Sequence, residues 1–170
     1  MRYIKNTVHC LLFVTCFAIL LCSCKAAINK DTATLKPMPV RHHSCIAAFY
    51  NFENFYDTIN NQEVNDEEFL PSGAKHYSSS IYNKKVSNLA TVVQKIGADI
   101  NDDGPAILGA VEIENDTVLQ DLIKHPLLKN RNYLFVHENS KDLRGIDVAL
   151  LYQPKYFKPL IHKSLTVQLP

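Results

Sequence analysis

The stretch "AILGAVEIEND", residues 106–116, constrains this chain more than any other. It opens on a run that is apolar apart from Gly109, the pattern of a strand buried on both faces. Two acids, Glu112 and Glu114, then appear where the run ends. An unpaired buried carboxylate costs several kcal/mol or takes up a proton. Acids at this place therefore need a helix start, a cation or open water beside them.

The flanking sequence predicts the elements that would cover such a strand. "CIAAFYNF", Cys45 to about Phe52, reads as a first strand. The polar stretch from Glu53 to Ser80 has no clear period and is too long for a simple turn, so a functional or surface loop is expected. "YNKKVSNLATVVQKIGAD" puts Val86, Leu89, Ala90, Val93 and Ile96 on one helical face, with Gly97 as a stop. "PAILGAVEI" is the second strand. "NDTVLQDLIKHP" is a second helix, with Asn115 or Asp116 as N-cap, Val118, Leu119, Leu122 and Ile123 inward, and Pro126 ending it. "NYLFVHEN" and "GIDVALLYQP" read as further strands, and "HKSLTVQL" as a possible last one. This order predicts a layered α/β domain.

A chain of 170 residues has room for one ordinary domain. Its first residues are of another kind: "MRYIKN" is basic, and "CLLFVTCFAILLC" is an apolar run of 13. That is short for a membrane span, which needs ~20 residues, and suits a secretory signal core. The following "LCSCK" resembles a bacterial lipobox, with Cys24 as the lipidated residue; the competing reading is an uncleaved signal anchor. The expected organisation is a signal peptide over 1–23, a flexible tether over 24–44 and one domain over 45–170, held at the bacterial cell envelope by lipid. Loss of Arg2 and Lys5 with the signal would take the formal charge from +1 to −1, so non-specific affinity for nucleic acid is not implied. Four of the five cysteines lie at or before position 24, which leaves no disulfide framework. Cys45, in an apolar run, is expected to be a small buried hydrophobe.

In α/β sheets the functional crevice lies beyond the C-terminal ends of parallel strands. The first strand ends "FYNFEN", with Asn51 and Asn54, and the second "AVEIEN", with Glu112, Glu114 and Asn115. If the two are parallel neighbours, Asn51 and Glu112 share a rim. A hard cation such as Mg²⁺ takes oxygen ligands, often one or two carboxylates plus water and phosphate. Glu112 could then be a ligand that Asn51 orients, or these glutamates could simply be charges at a helix start. In "KDLRGIDVALLYQP", Arg144 could fork onto phosphate or remain a solvated structural residue, and Asp147 could hold Arg144 or cap a turn.

"AFYNFENFYD", "ILGAVEIEN" and "DLRGIDVALLYQP", in this order, resemble the endonuclease/exonuclease/phosphatase superfamily, and within it the bacterial secreted and lipoprotein members. The likeness covers residue 45 to about 160. It implies a divalent-metal phosphoesterase with a four-layer α/β sandwich, in which Glu112 binds Mg²⁺ or Mn²⁺ and Asn51 lies beside it. It also implies phosphate contact for Arg144 and support for Asp147; Asn54, Glu114 and Asn115 match without assigned roles. Substrates in such a family are phosphate esters of nucleic acids, nucleotides or phospholipid headgroups; no protein partner is legible. The family's later motifs, Asn-His, Gly-Asp-x-Asn and Ser-Asp-His, occur nowhere in this sequence. Each of the seven histidines, His137 in a strand among them, reads as a surface or packing residue. The chain is therefore expected to form the N-terminal half of the sandwich, a mixed sheet with flanking helices. Such a half would be inactive alone and would expose a broad apolar sheet face; the competing reading is a non-catalytic envelope lipoprotein that binds or assembles.

Overall fold

A computed structural model describes residues 45–165. The signal segment, Cys24, the tether and the end of "HKSLTVQL" lie outside the described residues. Four strands and two helices follow in chain order: β1 (Ile46–Phe55), α1 (Ser79–Lys95), β2 (Pro105–Ile113), α2 (Asp116–Lys124), β3 (Leu134–Glu138) and β4 (Asp147–Tyr152). They build one mixed sheet in the order β1-β2-β4-β3. β1 and β2 run parallel, joined by the α1 crossover, while β4 lies antiparallel to both β2 and β3. His162–Leu165 form no strand.

Alternation decides which side of the sheet is covered. Phe52, Leu108, Ala110, Ala149 and Leu151 point to one face and are buried with Val86, Leu89 and Val93 of α1 and Val118, Leu119 and Leu122 of α2. Ile123, expected inward, only packs at the edge of this core. Burying a Leu or Val side chain contributes about 1.5–3 kcal/mol, so this single core is what holds the layers together.

The opposite face is also apolar and is open. Register aligns Phe49, Gly109, Leu150 and Val136 across it, with Asn51, Val111, Val148 and Glu138 in the next row. Phe49 is 70% exposed, Val148 59% and Leu150 40%. Gly109 is needed there, because a Cβ would stand 2.8 Å from Cδ2 of the Phe49 ring. Pro159, Ile161 and His162 border a shallow cavity of about 280 Å³ with Val136, Val148 and Leu150.

Local chemistry explains the element ends. Gly97 has φ +66°, the left-handed conformation that suits glycine after a helix. The guanidinium of Arg131 donates to the carbonyls of Val93 and Gln94 at 3.0 and 2.7 Å, satisfying the C-terminal turn of α1. At α2 the N-cap is Asn115, whose side chain accepts from Thr117 N and Val118 N. The polar stretch after β1 is more structured than its composition indicates. It contains a short 3-10 turn, Glu67–Phe69, and sends Tyr56, Phe69 and Tyr77 into the core, with Tyr56 stacked on Phe69 at 4.0 Å between ring centroids. Cys45 corrects an expectation: it is exposed, because it precedes the paired part of β1 and no layer covers it.

Candidate functional site

Two irregularities in neighbouring strands create the site. Asn51 pairs with Val111 and Phe55 with Ile113, so three residues of β1 stand opposite one residue of β2, Glu112. The β2–β4 ladder slips at the same place. Glu53, Asn54 and Glu112 all adopt left-handed backbone, with φ of 54°, 58° and 61°. For a glutamate this conformation costs on the order of 1–3 kcal/mol. A bulge re-aims a side chain, and here it turns Glu112 toward β1.

The Glu112 carboxylate is gripped at both oxygens. Asn51 Nδ2 donates to Oε1 at 2.9 Å, and the Asn54 backbone N–H donates to Oε2 at 2.8 Å. Asn51 is itself fixed, since its Oδ1 accepts from Glu53 N at 2.6 Å. Lys85 of α1 reaches the same corner and donates to the Glu53 carbonyl at 2.8 Å. Partial burial lowers the Lys85 ammonium from its usual range, against the opposing pull of Glu53 and Glu112. Each Glu112 oxygen keeps a further lone pair for another ligand.

Glu114 and Asn115 form a second, more buried group. Glu114 Oε2 accepts from Asp57 N at 2.6 Å, and Asn115 Nδ2 donates to Asp57 Oδ2 at 3.1 Å. Burial pushes the Glu114 carboxyl up to about 7; the Asp57 amide opposes this, while the charges of Asp57 and Asp66 add to it. Neither glutamate serves the helix start, where Asn115 caps and Asp116 supplies the first-turn acid.

The third group is the loop between β3 and β4. Arg144 is exposed and pairs with Asp142 at 2.8 Å through Nη2, while its Nε donates to the other carboxylate oxygen at 3.1 Å. That pairing holds the guanidinium above its usual range. The Arg144 carbonyl accepts from Tyr56 OH at 2.7 Å, which ties the loop to the end of β1. Asp147 does not hold Arg144, because the nearer Asp142 takes that place. It is buried, accepts from Ser140 N at 2.6 Å and faces His137 Nε2 at 3.2 Å. Glu114, Asn115, Ser140, Asp142 and Asp147 line one polar cavity of about 310 Å³.

The residues singled out in the sequence thus fall into three adjoining groups: Asn51, Asn54 and Glu112; Glu114 and Asn115; Arg144 and Asp147. Lys85, Asp57 and His137 join them without a sequence signal, since Lys85 sits on a solvated helical face and Asp57 in an aperiodic loop. His137, read as a surface or packing residue, is packed, with its side chain 5% exposed, and it also meets carboxylates at both ring nitrogens.

The Glu112 carboxylate, held by two N–H donors, suits a hard divalent cation that takes few carboxylates and fills its shell with water and phosphate. Among the described residues no group of three or more His, Cys, Asp and Glu is arranged to hold a metal ion. The model of the endonuclease/exonuclease/phosphatase family matches residues 45–170. No curated protein and no solved structure matches the chain.

Proposed function

Since this chain belongs to the endonuclease/exonuclease/phosphatase family, a superfamily of phosphoesterases and nucleases, we propose that residues 45–170 supply the metal-holding side of a Mg²⁺- or Mn²⁺-dependent phosphoesterase. The observation that carries this reading is the Glu112 carboxylate, turned out by a bulge and fixed by Asn51 and the Asn54 amide. Glu112 would hold the ion, with Asn51 orienting it and offering its amide oxygen at the rim. When bound, the ion supplies Lewis-acid polarisation of a phosphoryl oxygen and steadies the leaving oxygen. Lys85 offsets the local negative charge, and Arg144, exposed beside the site, is suited to fork onto phosphate oxygens once it leaves Asp142. The substrate would be a phosphate ester of a nucleic acid, a nucleotide or a phospholipid headgroup.

The groups that would activate water in this family belong to motifs that occur nowhere in these 170 residues. We therefore assign this chain by itself metal binding without turnover. The open apolar face of the sheet favours a second reading, a non-catalytic envelope lipoprotein that uses the fold for binding or assembly. In either case Cys24 is proposed to carry a lipid anchor that holds the protein at the cell envelope, which fatty-acid labelling of the wild type and Cys24→Ser would read.

Calorimetric titration with Mn²⁺ tests the seat. Glu112→Gln should weaken binding more than about tenfold, and Asn51→Ala by about 10–100-fold, because a residue that orients a ligand typically counts that much. In a relative that carries all the family's motifs, the equivalent glutamine should abolish metal-dependent hydrolysis. Unchanged Mn²⁺ affinity in Glu112→Gln would overturn the assignment.

A further inference from the structure

His137 of β3 lies between two acids. Nδ1 is 2.8 Å from Asp116 Oδ1, in the first turn of α2, and Nε2 is 3.2 Å from Asp147 Oδ2, at the start of β4. Ionised carboxylates only accept hydrogen bonds. Both contacts are therefore bonds only when both ring nitrogens carry hydrogen, which means the imidazolium. A neutral ring would turn a bare lone pair toward one of the two acids. The groups facing the ring are Asp116 from α2 and Asp147 from β4. Glu138, next on its own strand, points to the open face and meets His162. Glu114 and Lys141 line the cavity beside Asp147.

Asp147 passes this contact on. Its second oxygen accepts from Ser140 N at 2.6 Å, Ser140 Oγ accepts from Asp142 N at 3.0 Å, and Asp142 holds Arg144 by backbone and side chain. We propose that His137 is a positioning residue whose protonated ring latches the loop carrying Arg144 to α2 and β4, and whose deprotonation loosens that loop. The consequence for phosphate binding rests on the role proposed for Arg144; the latch itself does not. The latch holds while both ring nitrogens carry hydrogen and opens when one of the two protons is lost. It would hold at low pH and release as the pH rises.

The test uses the full chain from pH 5 to pH 9. Long-range ¹H–¹⁵N correlation reads the protonation of the His137 ring, and hydrogen exchange of the Ser140 amide, corrected for its intrinsic pH dependence, reads the loop. The ring should carry two protons at low pH. Ser140 protection should fall about tenfold or more with the same midpoint as the ring, the weight of one lost charge-assisted hydrogen bond. Asp116→Asn should lower both midpoints, because the ring loses one of its two anionic partners. A ring with one proton throughout, or Ser140 protection that stays flat while the ring titrates, would overturn the latch, and the wild-type series alone decides this. None of these readouts depends on metal or turnover, so failure of the Glu112 assignment in the Mn²⁺ titration leaves the latch standing, and the reverse also holds.

Discussion

Glu114 shows how one side chain can link position to pH. It lies at the end of β2 with 7% exposure, and its carboxyl is pushed up to about 7 chiefly by burial. The folded chain therefore binds this proton more tightly than the unfolded chain, whose value is near the ordinary 4.5. Its stabilising contribution is full below pH 4.5 and is lost as the pH climbs toward 7. Glu114→Gln keeps an oxygen to accept from Asp57 N but has no proton to lose. Denaturant unfolding should find the variant less pH-dependent between pH 4.5 and 7, and more stable than wild type at pH 8 by an amount of order 1–3 kcal/mol. An unaltered pH slope in the variant would place the effect elsewhere. The contrast with Glu112, two residues away, is instructive: one acid is turned outward and gripped by donors, while the other is shut in against Asp57.

At the scale of elements, the start of α2 decides how the acidic end of β2 is held. Asn115 accepts from Thr117 N and Val118 N and also donates to Asp57, so one side chain caps the helix and ties it to the chain leaving β1. Asn115→Ala should cost about 1–2 kcal/mol, measured as a lower denaturation midpoint. A loss below about 0.3 kcal/mol would mean that the cap is replaced by water. Helical and strand periodicity made both helices and all four strands legible in the sequence, β2 to the residue, because apolar alternation and capping chemistry are local properties. The neighbour relation of Asn51 and Glu112 was also readable, as two polar strand ends on one rim. What escaped was set by non-local pairing. The extension of β1 to Phe55 and the left-handed backbone at Glu53, Asn54 and Glu112 arise from a register mismatch between strands, which no local pattern records. Likewise Asp142, rather than Asp147, meets Arg144 because of the shape of one loop, and His137 meets its two acids only when α2 and β4 flank β3.

For the molecule as a whole, the open sheet face is the dominant feature, because Phe49, Val148 and Leu150 present apolar surface to solvent. A patch of this kind favours association. Val148→Lys should reduce light scattering and the sedimenting fraction of concentrated samples, while stability changes by no more than about 0.5 kcal/mol, as for surface substitutions in general. Scattering equal to wild type would show that association uses another surface. The sheet order carries a further consequence. β1 lies against β2, so Asn51 finds Glu112 across 61 positions of sequence. Closing so long a loop costs entropy before the contact returns anything. A ribosome delivers Asn51 well before Glu112 is synthesised, and throughout that interval the nascent chain has the orienting amide but nothing for it to orient. The part of the protein best suited to chemistry thus cannot be assembled until the helix between its two halves has emerged.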